Sequence, residues 1–216
     1  MADNVPAIAG GQPTKQTPFT RARRYGAEEL KELSEALDQG TLFYAHGKKV
    51  HQMEEEFAVS IGARFAVATS SGTASVHAAL VAAGISPGDE VITTPITDMG
   101  SLCPILYQGA VPVFADLHPR SYVLQPEAVE AAITPRTRAV LAVHLWGNAC
   151  NLDALKALCD RHNLTLIEDC AQAWGTTWKG QSVGRIGQIG CFSLNEFKHI
   201  SCGDGGVVAT DDEELA

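Results

Sequence analysis

An α/β fold, with a mostly parallel sheet covered by helices on both faces, is predicted by three observations. Short apolar runs rich in Val, Ile and Ala recur along the chain, as in strands buried on both faces. Helix-length amphipathic segments separate most of them, the alternation that a parallel sheet requires. Glycine, proline and aspartate punctuate the joins.

The opening, AIAGGQPTKQTPF, is rich in glycine, proline and polar residues and reads as an extended arm. Residues 1–26 are taken as this arm, and 27–216 as the folded domain. A helix over 27–37 ends at Gly40 and a second over 50–61 ends at Gly62, each glycine a C-terminal cap. Strand 65–69 then leads into helix 73–83, strand 90–94, a helix near 101–107 and strand 111–115. Helix 126–133, strand 139–144, helix 152–161 and strand 164–168 continue the alternation. Short strands at 177–182, 191–194 and 207–210 follow. Thr210-Asp211-Asp212-Glu213 is a capping box that announces a helix, and Leu215-Ala216 begins its apolar stripe. The expectation is a chain cut short there.

Composition excludes several classes. The 216 residues are 45% hydrophobic and 19% charged, ordinary for a globular α/β protein. A net charge of −9 argues against nucleic acid, whose phosphates it would repel. The basic cluster TRARR, Thr20 to Arg24, reads as solvated surface. Six cysteines without a CxxC pair are expected to be reduced core thiols, and seven histidines without an HExxH pattern argue against a metal. No signal peptide or membrane-spanning run is evident, so the expected location is the cytoplasm and no membrane partner is expected.

The chemistry centres on one lysine. Lys198 lies in CFSLNEFKHISCGDGG, an otherwise apolar, glycine-closed stretch, and a buried ammonium tends to shed its proton and become a nucleophilic amine. Asp169 closes an apolar run read as a buried parallel strand, and the carboxyl ends of such strands are where ligands bind. An aspartate holding a pyridinium nitrogen together with a Schiff-base lysine is the pair that pyridoxal phosphate requires. The lysine would hold the cofactor as an aldimine, be displaced by the amino donor, and then shuttle the proton. A phosphate site is supplied by SSGTASVHAALVAAG, where unpaired amides and the dipole of a helix beginning at Thr73 face an anion. Ser193 could add a hydroxyl. Gly184, Gly187 and Gly190 echo a dinucleotide loop but precede strand-like CFSL instead of a helix.

With these residues in place, the chain resembles the pyridoxal-phosphate-dependent sugar aminotransferases of the DegT type, within the aspartate aminotransferase (fold type I) superfamily. SSGTA, SPGDEVITT, GAVPVFADL, AAITPRTRAVLAVHLWG, LIEDCAQAWG, GQIGCFSL and K-x-x-x-x-GDGG occur in that family's order and spacing from about Gly40 onward. The resemblance implies a seven-stranded-type sheet of the fold type I large domain, with the C-terminal small domain missing. It implies that Lys198 carries the internal aldimine, that Asp169 pairs with the pyridine nitrogen and that Gln172 binds the phenolic oxygen. Gly72, Thr73, Ala74 and Ser193 would contact the phosphate. A related dehydratase branch has histidine where Lys198 stands, and His199 is out of register for that role, so transamination is favoured over the alternatives, a dehydratase or epimerase with the same cofactor or a catalytically inactive scaffold fragment. Asp98 occupies the place where the family usually has a stacking aromatic, leaving stacking to Met99 or another residue, or to none. GDGG replaces GEGG and keeps the charge. A homodimer is implied, as is a small-molecule keto sugar or keto cyclitol substrate with glutamate or glutamine as amino donor. The GG-x-P opening points faintly toward cyclitols.

Overall fold

The structure, a computed structural model, describes residues 5–18 and 25–216. The chain divides into two units, Met1–Gly47 and Lys48–Ala216. In the first, a 3-10 turn at Ala7–Ala9 replaces extended chain and is closed by Gly10 in the left-handed conformation. Helix α1 (Ala27–Asp38) carries Glu28 and Glu29 in its first turn, where negative charge complements the helix dipole. Its Leu30, Leu33 and Leu37 form an exposed stripe. The expected boundary after residue 26 falls inside this unit, and the TRARR cluster lies outside the described residues.

The second unit begins with α2 (Lys49–Ile61), stopped by Gly62 at φ 78°. It continues through β1 (Phe65–Thr69), α3 (Gly72–Ala82), β2 (Glu90–Thr93), α4 (Met99–Tyr107), β3 (Val111–Phe114), α5 (Pro126–Ala131) and β4 (Thr137–Val143). Helix α6 (Leu152–His162), β5 (Thr165–Asp169), β6 (Thr177–Trp178), β7 (Gln181–Ser182), β8 (Ile189–Ser193) and β9 (Gly206–Thr210) complete it. Seven strands form one sheet in the order β3-β2-β4-β5-β8-β9-β1. Neighbours from β3 to β8 pair in parallel, and β9 runs antiparallel to both β8 and β1. The reversal follows from the connection: β8 and β9 are joined by a loop with no helix, and a parallel return needs a crossover.

Alternation along the central strands splits the core between the two faces. Val140, Ala142 and Leu166 pack with Phe57 of α2, Val129 of α5 and Leu155 and Leu158 of α6. Ala139, Leu141 and Ile167 pack with Val76 and Leu80 of α3 and Ile105 of α4. Helices therefore cover both faces, as the alternation of apolar runs predicts.

Two expected elements differ. The expected strand over 177–182 is a tight hairpin of β6 and β7, turned at Lys179 (φ 52°) and Gly180 (φ 85°). Two successive positive φ angles match the right-handed twist of the flanking strands. The expected capping box at Thr210 to Glu213 is a turn instead of a helix start. The Asp212 N–H donates to Thr210 Oγ1 at 3.1 Å and the Glu214 N–H donates to Asp212 Oδ1 at 2.8 Å. A first helical turn fixes several residues for one hydrogen bond, so these local bonds prevail where no longer ladder closes. Among the described residues no helix is long and apolar enough to cross a membrane.

Candidate functional site

The sheet register gathers the site at the carboxyl ends of the parallel strands, the usual place for a ligand in such sheets. Asp169 pairs with Val143 on one side and Cys191 on the other, while Ser193 and Thr69 both pair with Gly206. The last residue of β1 therefore lies one strand away from the last residue of β8. From there the chain enters α3, so the α3 N-terminus stands over Ser193.

The approach is close. A Cβ on Gly72 would lie 2.6 Å from Ser193 Cβ and 3.0 Å from its Oγ, so only glycine lets the helix start this near β8. Buried hydroxyls pin the junction: Ser75 Oγ donates to the Phe192 carbonyl at 3.2 Å and lies 2.6 Å from Thr69 Oγ1. Ser71 caps the helix, its Oγ accepting the Ala74 N–H at 3.1 Å, and the helical ladder begins with Ser75 N–H to Ser71 O. The Ala74 amide is thus committed within the chain, and Ala74 does not line the cavity described next.

A cavity of about 390 Å³ opens here. Gly72, Thr73, Asp169, Gln172, Ser193 and Lys198, all named from the sequence, line it together with Asp98, Ser101 and Asp204. Asp169 is buried at its floor, with Oδ2 accepting the Ser101 hydroxyl at 2.6 Å and Oδ1 the Ala171 N–H at 3.0 Å. Thr97 Oγ1 lies 2.7 Å from Ser101 Oγ, extending the chain of hydroxyls behind the carboxylate. Gln172 Oε1 accepts the Trp146 N–H at 3.1 Å, which fixes the side chain toward the β4 loop.

Lys198 differs from expectation in one respect. It is half-buried on a turn, its N–H donating to the Asn195 carbonyl at 2.9 Å, between exposed Phe197 and His199. Its desolvation is therefore only partial, and what sets it apart is that it shares a cavity with Asp169 and the α3 N-terminus. Lys179, the other lysine downstream of Asp169, sits on the hairpin turn and pairs with Asp153.

Sequence reasoning missed two residues. Asp98 is the N-cap of α4, its Oδ1 accepting the Gly100 N–H at 2.7 Å, so the helix starts earlier than expected. Met99 is exposed and does not line the cavity. Ser101 follows in the first turn, and the signal for it was an aspartate cap directly after a buried parallel strand.

Glu168, the residue before Asp169 on β5, forms a buried hydrogen-bonded pair with His144. His144 Nε2 and Glu168 Oε2 are 2.9 Å apart, both side chains fully buried. The Gly184 N–H donates to Oε2 at 2.8 Å, and those of Ile186 and Gly187 to Oε1 at 2.7 and 2.6 Å. The glycine echo that fails as a dinucleotide loop thus wraps a carboxylate. Burial works against the Glu168 charge, but the bonds from His144, Gly184 and Gly187 outweigh it and hold the carboxyl below its ordinary range. Cys170 lies near enough to these two for the three to resemble a metal cluster. Yet the four donors occupy both carboxylate oxygens, His144 Nδ1 accepts the Cys150 N–H at 3.1 Å, and burial pushes the Cys170 thiol up to about 12. The set is a closed core network. Among the described residues all six cysteines are free, four of them buried and Cys202 exposed.

Relatives share this architecture. The spore coat polysaccharide biosynthesis protein SpsC of Bacillus subtilis is 46% identical over 191 residues, covering 88% of this chain and 49% of its own length. A putative L-glutamine:3-amino-2,3-dideoxy-scyllo-inosose aminotransferase of Streptoalloteichus tenebrarius is 40% identical over 209 residues, covering 96% and 50%. The crystal structure of an aminotransferase from Psychrobacter cryohalolentis superposes with a TM-score of 0.88 at 40% identity, over 92% of this chain and 50% of that one. The chain spans about half the length of the curated relatives it matches. The family model matches residues 23–216, and the chain belongs to the DegT/DnrJ/EryC1/StrS aminotransferase family.

Proposed function

We propose that this chain is the cofactor-holding part of an aminotransferase acting on a ketone of a polyhydroxylated six-membered ring, with glutamate or glutamine as amino donor. The ring is that of a nucleotide-linked keto sugar or a keto cyclitol. The observation that carries the reading is the single cavity shared by Lys198, Asp169 and the α3 N-terminus. A relative named for transfer from L-glutamine to an amino-dideoxy-scyllo-inosose supports the ring ketone and the donor.

Pyridoxal phosphate is the cofactor of the family's aminotransferases, and the cavity fits it. The space a Gly72 Cβ would fill leaves helix amides and the Ser193 hydroxyl facing one region, a donor set suited to a phosphate without a cation. A buried carboxylate at the far wall suits a protonated ring nitrogen. Gly72, Thr73 and Ser193 would hold the phosphate, Asp169 the ring nitrogen, Gln172 the phenolic oxygen and Lys198 the aldehyde carbon. When bound, the group supplies an electron sink that acidifies the C–H beside the transferred nitrogen.

The chain's own residues do the rest. Ser101 and the Ala171 N–H orient the Asp169 carboxylate so that its charge faces the cavity. Lys198 would take the proton from the substrate carbon and return it one position away. A lysine at this position, where the dehydratase branch has histidine, favours amino transfer. On this reading the native protein is a homodimer.

Gly72→Ala is expected to weaken pyridoxal phosphate binding at least tenfold, because Ser193 and the helix start must part to admit the methyl group. Equilibrium titration of the cofactor against both proteins checks it, and unchanged affinity would remove Gly72 from the cradle. The substrate reading is tested by offering the native protein keto cyclitols, nucleotide-linked keto sugars and 2-oxo acids with glutamine or glutamate. Turnover confined to 2-oxo acids, or water loss without amino transfer, would overturn it.

A further inference from the structure

Beside the site lies a second cavity of about 400 Å³, lined by Trp146, Ala171, Gln172, Phe197, Lys198 and His199. Ala171, Gln172 and Lys198 belong to both cavities, so the two adjoin at the lysine. Its outer wall is aromatic. Trp146 is 68% exposed, and its ring meets that of Tyr122 edge to face, with centroids 6.0 Å apart and planes at 63°.

Both of these aromatic residues have left-handed backbones, Trp146 at φ 54° and Tyr122 at φ 58°. Bulky residues rarely adopt that conformation, and it persists only where the surroundings over-determine it. Here the clamps are visible. The Trp146 N–H is held by Gln172 Oε1, the Gly147 carbonyl by Thr176 Oγ1 at 3.1 Å, and the Ser121 carbonyl by Asn148 Nδ2 at 3.3 Å. Strain and several hydrogen bonds thus fix the indole at the second cavity.

We propose that the second cavity is the subsite for the substrate ring, with the Trp146 indole as the platform on which the C–H face of the polyhydroxylated ring stacks. The inference rests on the aminotransferase reading above and deepens it. The carbon that exchanges nitrogen must come to Lys198, and its ring must then occupy space contiguous with that amine. The cavity walled by Trp146 and Phe197 offers an apolar face for ring C–H groups, while His199 offers polar atoms for hydroxyls. A glutamate or glutamine donor has no ring to stack, so the residue should separate the two half-reactions.

The test uses the native holo-protein with 2-deoxy-scyllo-inosose and a thymidine-diphosphate-linked 4-keto hexose as ring ketones. Trp146→Ala is expected to raise KM for the accepted ring ketone at least tenfold while shifting KM for the donor less than twofold, and Trp146→Phe to restore most of the loss. Saturation-transfer NMR with the amino product should show its ring C–H protons receiving saturation from aromatic protons in the wild type and much less in Trp146→Ala. An unchanged ring-ketone KM, or equal losses for both half-reactions, would overturn the platform while leaving the aminotransferase reading intact. A wild type that completes the donor half-reaction but accepts only 2-oxo acids would overturn both.

Discussion

Lys198→Ala is expected to lower turnover at least ~10⁴-fold, because removal of a general base that also serves as nucleophile loses two contributions at once. Lys198→Arg should fail almost as badly. A guanidinium keeps the charge but does not deprotonate at neutral pH, so this variant separates proton transfer from simple electrostatics. Lys179→Ala is the matched control: Lys179 is exposed on the β6–β7 turn, paired with Asp153, and lines neither cavity. Steady-state assays of the three variants check the assignment. Comparable losses at positions 179 and 198 would place the chemistry elsewhere.

Glu168→Ala should produce the largest loss of stability. Removing the carboxylate leaves the buried His144 Nε2–H without an acceptor, and each buried donor so stranded costs about 1–3 kcal/mol. Here it also strands the amides of Gly184, Ile186 and Gly187. The loop they hold lies on the face of β5 opposite Asp169, so the loss should appear in stability and not first in cofactor affinity. The effect has a defined pH dependence. The folded Glu168 carboxyl is held below its ordinary value of 4.5, so its stabilisation is complete above the unfolded value and is lost as pH falls through the folded one. Denaturation of wild type and Glu168→Ala should differ most at neutral pH and converge only once the pH has fallen below the ordinary glutamate range, through the depressed folded value. A gap that does not narrow on acidification would mean that the carboxylate charge is not what holds the loop.

Much of this fold was legible because its signals are local. The buried strands β2, β4 and β5 announce themselves as apolar runs, and Gly62 stops α2 because it adopts φ 78° at the cap. The hairpin at Lys179-Gly180 was read as one strand because two-residue strands leave no period to detect, and a lysine at positive φ is an unusual turn former. A strand-end aspartate, a helix start and a downstream lysine each have a chemical reason, and these are the features by which the sequence suggests a site. Gly72, Thr73, Asp169, Gln172, Ser193 and Lys198 do meet in one cavity. Ala74 stays outside it because Ser71 caps that amide.

What stayed hidden was set by tertiary contact. Asp98 was noted only as a missing aromatic, yet its carboxylate starts α4 and so brings Ser101 within reach of Asp169. Glu168 is adjacent to Asp169 in sequence but points to the opposite face, where a loop 16 to 19 residues later supplies its donors. Trp146 gave no sign at all, because its meaning lies in a left-handed backbone and in a neighbour 26 residues away.

The central claim is that Lys198 is the amine that reacts with the cofactor carbonyl. Borohydride reduction of the native protein loaded with pyridoxal phosphate, followed by proteolysis and mass spectrometry of the labelled peptide, tests it most directly. The cofactor should be recovered covalently on Lys198 at close to one equivalent per chain, and Lys198→Ala should bind it only reversibly. Label recovered on Lys179 or another lysine, or none retained by the wild type, would contradict the assignment of this site.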